Sequence, residues 1–124
     1  MRTSAAILAG AAGLTALGAG VLPATANAAT VSPKTIAAQI VPASQLASFN
    51  QIISHESGWN VTATNPSSGA YGLGQALPGS KMASAGADWK TNPKTQIKWA
   101  YDYMNSRYGS PNAAWSFWQN HHWY

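Results

Sequence analysis

The sequence predicts a small, mainly helical domain in which one long irregular loop separates the earlier helices from the later ones. Three pairs of a polar residue followed by proline, Ser32-Pro33, Asn92-Pro93 and Ser110-Pro111, are typical helix starts. Residues 59–79 are instead crowded with Gly, Asn, Ser and Pro, which interrupt regular structure. No stretch alternates apolar and polar residues for long enough to predict a strand. At 124 residues, the chain fits a single domain.

The first two helices are separated by a proline. Ser32 serves as the N-cap of a helix over 33–41, which must end there because Pro42 disfavours helical backbone in the residue before it. A second helix is expected from about 43 to 57. It ends at Gly58, because glycine readily adopts the left-handed conformation that closes a helix.

The second half of the chain continues the helical pattern after the loop over 59–79. A short helix is expected over 80–85. A longer helix over 93–108 begins at the Asn-Pro pair and ends at Gly109. The last helix starts at position 111 and runs toward Asn120.

The N-terminal segment has the features of a secretory signal peptide. Arg2 precedes an uncharged run rich in Ala, Gly and Leu, and Ala26-Asn27-Ala28 fits the small-x-small cleavage rule. We therefore expect residues 1–28 to be removed and the mature domain to span 29–124. The alternative is a retained membrane anchor, but the run contains several glycines and is short for a membrane-spanning helix.

Composition excludes several classes of protein. The chain has no cysteine, so it is neither a disulfide-stapled scaffold nor a cysteine-ligated zinc module. Only ten residues are charged, too few for a nucleic-acid-binding tail, and the net charge of +4 suits an anionic surface. His121-His122 lacks a third ligand at suitable spacing, so neither a metal nor a cofactor is expected.

Glu56, the only glutamate, is the candidate catalytic residue. At 100° per residue it falls within the arc of the second helix that carries Phe49, Ile52 and Ile53. Burial there would raise the pKa of its carboxyl and suit it to general acid catalysis. The alternative is that the helix frays first and the carboxylate reaches water. Asp88 is expected to form a turn, and Asp102 to lie on a solvated face.

Residues 53–78 read ISHESGWNVTATNPSSGAYGLGQALP. This segment resembles the soluble lytic transglycosylase domain of the lysozyme superfamily, in the compact form that exported actinobacterial proteins carry. Family members have a Glu-Ser pair at a helix end, an Asn-Pro-x-Ser loop closed by Gly-Ala, a Gly-Leu-Met-Gln element and a later Ala-x-x-Tyr. The corresponding residues here are Glu56, Ser57, Asn65, Pro66, Ser68, Gly69, Ala70, Gly72, Leu73, Gly74, Gln75, Ala100 and Tyr103. Gly74 departs from the pattern, because methionine is usual there.

The resemblance implies a lysozyme-like α+β superfold that is mainly helical, with the long central loop lining a cleft. It implies a secreted, cell-wall-associated enzyme that cleaves peptidoglycan glycan strands between N-acetylmuramic acid and N-acetylglucosamine. Glu56 would act as acid and then as base, leaving 1,6-anhydromuramoyl ends. We expect a monomer that binds neither nucleic acid nor, once the signal is cleaved, a membrane. The substrate-binding residues would be Ser57, Ala70, Tyr71, Gln75 and Tyr103.

Two other functions stay open from the sequence. The same site could use water and act as a hydrolytic muramidase, or the scaffold could bind cell wall without catalysis. The aromatic cluster of Trp115, Phe117, Trp118, Trp123 and Tyr124 could likewise stack on sugars. For most of these side chains we expect instead that they complete the core of a domain without cross-links.

Overall fold

The structure of the protein is a computed structural model that describes residues 31–124. These residues form four α-helices and one short 3₁₀ helix. The helices are α1 (Pro33–Ile40), α2 (Ala43–Ser57), α3 (Pro93–Tyr108) and α4 (Pro111–His121), and the 3₁₀ helix spans Gly79–Ser84. The predicted mainly helical class is therefore confirmed, as is each predicted helix to within a residue or two. The short helix expected over 80–85 is the 3₁₀ helix. The predicted signal segment lies outside the described residues.

Local capping explains where the helices begin. The side chains of Ser32 and Ser110 accept hydrogen bonds from the backbone N–H groups of Thr35 and Ala113, at 3.2 and 3.1 Å. Asn92 does the same at the start of α3, and a proline follows each cap. These bonds satisfy N–H groups that a first helical turn leaves without partners.

The core forms where α2 and α3 face the other helices. α1 packs on α2 and α3, and α4 packs on the same two helices. Fully buried side chains at the centre include Phe49, Ile52, Ile53, Ile97 and Met104. Half-buried aromatic residues surround this cluster, which is how a domain without disulfides gains apolar burial.

The loop between α2 and the 3₁₀ helix contains almost no regular structure. Two isolated antiparallel bridges, Thr64 with Tyr71 and Tyr71 with Ala76, are its only strand-like pairings among the described residues. None of the helices in this part of the chain is long and apolar enough to cross a membrane.

Candidate active site

Glu56 lies in the last turn of α2, with its side chain half-buried. The helix does not fray before it: α2 continues to Ser57 and is closed by Gly58 in the left-handed conformation, at φ 61°. The alternative of an early frayed end is therefore wrong. Ile52 and Ile53, just before it on the same helix, are fully buried, so the carboxyl group sits at the edge of the core.

The Glu56 carboxyl is held by an indole from the last helix. Trp118 Nε1 donates a hydrogen bond to Glu56 Oε2 at 2.7 Å, across 62 residues of sequence. Burial raises the pKa of Glu56 above its ordinary value of 4.5, while the Trp118 hydrogen bond and the charge of His55 act in the opposite direction. Burial is the larger effect, so the group holds its proton to a higher pH than an exposed glutamate does.

Ser57 serves the helix end. Its hydroxyl donates to the carbonyl of Ile53 at 3.1 Å and accepts from the backbone N–H of Trp59 at 3.2 Å. Trp59 has a positive φ of 67°, uncommon for a residue with a side chain. The Ser57 hydroxyl thus fixes the turn that leads from the candidate acid into the central loop.

Asn65 organises the first part of that loop. Its side-chain oxygen accepts from the backbone N–H groups of Ser67 and Ser68, at 2.8 and 3.2 Å. Its backbone also pairs with Gly69 and Ala70. Asn-Pro-Ser-Ser-Gly-Ala is therefore a self-contained turn whose tip faces solvent, while Ala70 returns to the interior.

Gln96, a fully buried residue of α3, fixes the second part of the loop. Its Oε1 accepts from the backbone N–H of Leu73 at 2.8 Å. Its Nε2 donates to the carbonyls of Val61 and Trp89, at 3.0 and 2.8 Å. One amide thereby ties three separate stretches of backbone to the helix, which sets the position of the Gly-Leu-Gly-Gln element.

Gln75 adopts a left-handed backbone conformation, at φ 52°. Its side-chain nitrogen donates to the carbonyls of Ala63 and Gly72, at 3.0 and 2.9 Å. Both N–H groups of the amide are thus used inside the loop, and the carbonyl oxygen is the group it can offer to a ligand.

Gln75 and Tyr103 line one small cavity, of about 70 Å³. Trp99 stacks on Tyr103, with ring centroids 5.0 Å apart and an angle of 18° between the planes. Tyr124 lies against Tyr103 edge to face at 5.4 Å. The other residues around the cavity are Gly74, Ala76, Leu77 and Lys81.

Glu56 is not one of the residues that line this cavity. Burial raises the pKa of Tyr124 well above its ordinary value, and the negative charge of Glu56 adds to that shift. Two of the predicted site residues, Gln75 and Tyr103, thus lie around one cavity, whereas Glu56 is not part of its lining.

Ala70 and Tyr71 are not among the residues that line this cavity. Ala70 is buried, and Tyr71 donates its hydroxyl to the carbonyl of Lys90 at 2.7 Å while its ring packs edge-on against Trp89. Both residues contribute to the internal support of the loop.

The other two acids have structural surroundings. Asp88 accepts hydrogen bonds from Asn92 at 2.8 Å and Thr95 at 2.7 Å, and these bonds lower the pKa of its carboxyl. It stabilises the start of α3, as expected for a turn-forming residue. Asp102 is exposed on α3. Within residues 31–124, no three His, Cys, Asp or Glu side chains are grouped closely enough to hold a metal ion.

Sequence reasoning missed the roles of Trp118 and Gln96. The sequence places Trp118 in a C-terminal group of aromatic residues expected mainly in the core, and no neighbouring residue indicates a contact with Glu56. The position of Gln96 weakly indicates burial, because it lies four residues before the buried Ala100 and next to the buried Ile97. A polar residue on that helix face requires internal partners.

Comparisons with known proteins identify the family of the chain. Residues 34–120 match the family model described as Transglycosylase SLT domain. The chain is 40% identical over 79 residues to a Staphylococcus haemolyticus (strain JCSC1435) protein named Probable transglycosylase IsaA, a match that covers 63% of this chain. The match covers 29% of that relative, so this chain spans well under half of its length. No solved structure matched. The family model covers more than half of the residues of this chain, and the chain therefore belongs to the transglycosylase SLT family.

Proposed function

We propose that this protein is a secreted lytic transglycosylase that cleaves the β-1,4 bond between N-acetylmuramic acid and N-acetylglucosamine in peptidoglycan. The family supports the reaction class. The observation that carries the proposal is the half-buried Glu56 carboxyl, which has a raised pKa and accepts a hydrogen bond from the Trp118 indole.

Glu56 first acts as the acid. Its proton passes to the glycosidic oxygen, the bond between that oxygen and C1 of the muramoyl sugar breaks, and the N-acetylglucosamine end leaves as an alcohol. A raised pKa favours this step, because a general acid must still hold its proton near the working pH.

Glu56 then acts as the base. The carboxylate accepts the proton of the muramoyl C6 hydroxyl while that oxygen bonds to C1, which closes a 1,6-anhydro ring and restores the neutral acid. The hydroxyl belongs to the sugar under attack, so the step benefits from the high effective concentration of an intramolecular reaction.

A single carboxyl group suits this mechanism. Hydrolytic glycosidases usually need a second acid across the scissile bond. Here Asp88 is bonded to the start of α3, and Asp102 is exposed elsewhere on that helix. Neither is available as a partner for Glu56.

Substrate contacts are proposed for the cavity residues. The Gln75 carbonyl oxygen can accept from an N-acetyl N–H group, and the paired rings of Trp99 and Tyr103 offer apolar faces to a sugar. Ser57, Ala70 and Tyr71 would act by holding the acid and the loop in place.

The test compares wild type, Glu56→Gln and the matched control Asp102→Asn in a gel containing purified cell wall. We expect Glu56→Gln to clear the wall about 10²–10⁴-fold more slowly than wild type, as is typical when a general acid is removed. The control should clear it at the wild-type rate. Mass spectrometry of the wild-type digest should show anhydromuramoyl ends.

Each rival function gives a different result. Reducing ends throughout the digest would identify a hydrolytic muramidase. Binding to wall without clearing by wild type would identify a non-catalytic wall-binding protein. Unchanged clearing by Glu56→Gln would refute the role of Glu56.

A further inference from the structure

The space beside Gly74 is filled by Tyr124. A Cβ atom at position 74 would lie 2.9 Å from the Tyr124 hydroxyl oxygen and 3.0 Å from the Cβ of Ala100. The φ of Gly74 is not positive, so its backbone would accept a side chain. Close packing, and not backbone conformation, therefore requires glycine at this position.

Tyr124 reaches this place because the chain turns back after α4. His122 has a left-handed conformation, at φ 64°, and ends the helix. The Tyr124 hydroxyl then donates to the carbonyl of Gly74 at 2.8 Å. Its ring contacts Tyr103 edge to face at 5.4 Å and stacks near Tyr108 at 6.4 Å.

Through this contact, Tyr124 meets both the loop residue Gly74 and the cavity that Gln75 and Tyr103 line. Its hydrogen bond holds the carbonyl of Gly74, the residue directly before Gln75. Its side chain lines the cavity that Gln75 and Tyr103 also line. Among the described residues, no other tyrosine or tryptophan side chain forms a hydrogen bond with residues 72–75.

We propose that Tyr124 is a substrate-contacting, specificity-determining residue, whose ring replaces a side chain at position 74 as the wall of the cleft for N-acetylated sugars. The inference rests on the proposed function and extends it to a residue outside the motifs that resemble the family. Gly74 and Tyr124 then form a coupled pair, in which a larger residue at one position requires a smaller residue at the other.

The experiment measures binding of an N-acetylglucosamine tetramer by calorimetry, with every variant built on Glu56→Gln so that no cleavage occurs. Tyr124→Ala should weaken binding about tenfold or more, and Tyr124→Phe, which keeps the ring, by only about twofold to fivefold. Tyr101→Ala is the matched control, because Tyr101 is a half-buried core tyrosine on the far side of α3. It should lower the melting temperature without changing binding.

The coupling is tested with Gly74→Met. Alone, it should weaken tetramer binding about tenfold or more, since Tyr124 occupies the space. Combined with Tyr124→Ala, it should recover at least fivefold of that loss, because the methionine can enter the vacated volume.

The proposal fails if the effects of Gly74→Met and Tyr124→Ala simply add, or if Tyr124→Ala behaves like Tyr101→Ala. It also fails if the parent does not bind the tetramer at all. Failure of the proposed function is recognised separately: wild type would not clear wall, while the differences in tetramer binding would persist and support the role of Tyr124.

Discussion

Replacing Trp118 with phenylalanine tests the electrostatics of the site directly. The indole N–H donates to the Glu56 carboxylate at 2.7 Å and favours the ionised form. Phenylalanine keeps most of the apolar volume and removes the donor. The pKa of Glu56 should therefore rise further in Trp118→Phe.

The size of the shift follows from the hydrogen bond. A bond to a charged group contributes about 1.5–3 kcal/mol in a buried setting. Glu56 is only half-buried, so screening by water reduces this to about 1 kcal/mol. At about 1.4 kcal/mol per pKa unit, the expected rise is about 0.5 to 1 unit.

The composition of the chain makes the measurement simple. Glu56 is the only glutamate, so selective ¹³C labelling of glutamate gives one side-chain carboxyl resonance, and its titration by NMR reports this group alone. The control is Trp115→Phe, because Trp115 stacks on Trp118 at 5.4 Å without bonding to Glu56. Its titration should match wild type.

A titration in Trp118→Phe that is unchanged, or that moves to lower pH, would refute the reasoning. The indole would then act on Glu56 mainly by excluding water. If the reasoning holds, the basic limb of the pH–activity profile should move upward by the same amount as the NMR titration.

Three further perturbations follow from the structure. The folded state raises the pKa of Glu56 above 4.5, so the stability of wild type falls as pH rises above that value. At neutral pH, Glu56→Gln should therefore unfold at a higher urea concentration than wild type. Below pH 4.5, the two proteins should unfold at the same urea concentration. Gln96→Ala removes the partner of one buried backbone N–H, that of Leu73, and of two part-buried carbonyls, those of Val61 and Trp89. It should lower the free energy of unfolding by about 3 kcal/mol, against little change for the exposed control Gln119→Ala. Ser110→Ala removes a helix cap and should cost about 1 kcal/mol in thermal unfolding, with Ser116→Ala, exposed on the same helix, as the control.

Contrary outcomes are equally specific. A Glu56→Gln variant whose stability relative to wild type does not depend on pH would mean that burial does not perturb the carboxyl. A loss in Gln96→Ala no larger than in Gln119→Ala would mean that water replaces the amide. Equal melting of Ser110→Ala and Ser116→Ala would mean that the cap contributes nothing to α4.

The helix boundaries could be predicted because their causes are local. Ser32, Asn92 and Ser110 bond to backbone within three residues of themselves, and Gly58 and Gly109 close α2 and α3. The sequence therefore contains both partners of each interaction within one helical turn. The same holds for the turn at Asn65, which appears in the family pattern as a contiguous motif.

The electrostatic partners of the site could not be predicted in the same way. Trp118 meets Glu56, and Tyr124 meets Gly74, only because α4 packs on α2 and the chain then turns back. Each pair joins residues at least 50 positions apart. The helical periodicity of α2 correctly predicted a desolvated Glu56, but it carries no information about which donor faces it.

The solvent-facing tip of the Asn65 turn is a suitable site for chemical labelling of the protein. Ser67 is exposed there, and the turn is held by its backbone N–H group and not by its hydroxyl. The chain contains no cysteine, so Ser67→Cys would introduce a unique thiol. A fluorophore or crosslinker attached to it would report whether and where the protein binds purified cell wall, and the hydrogen bonds that hold the turn would stay in place.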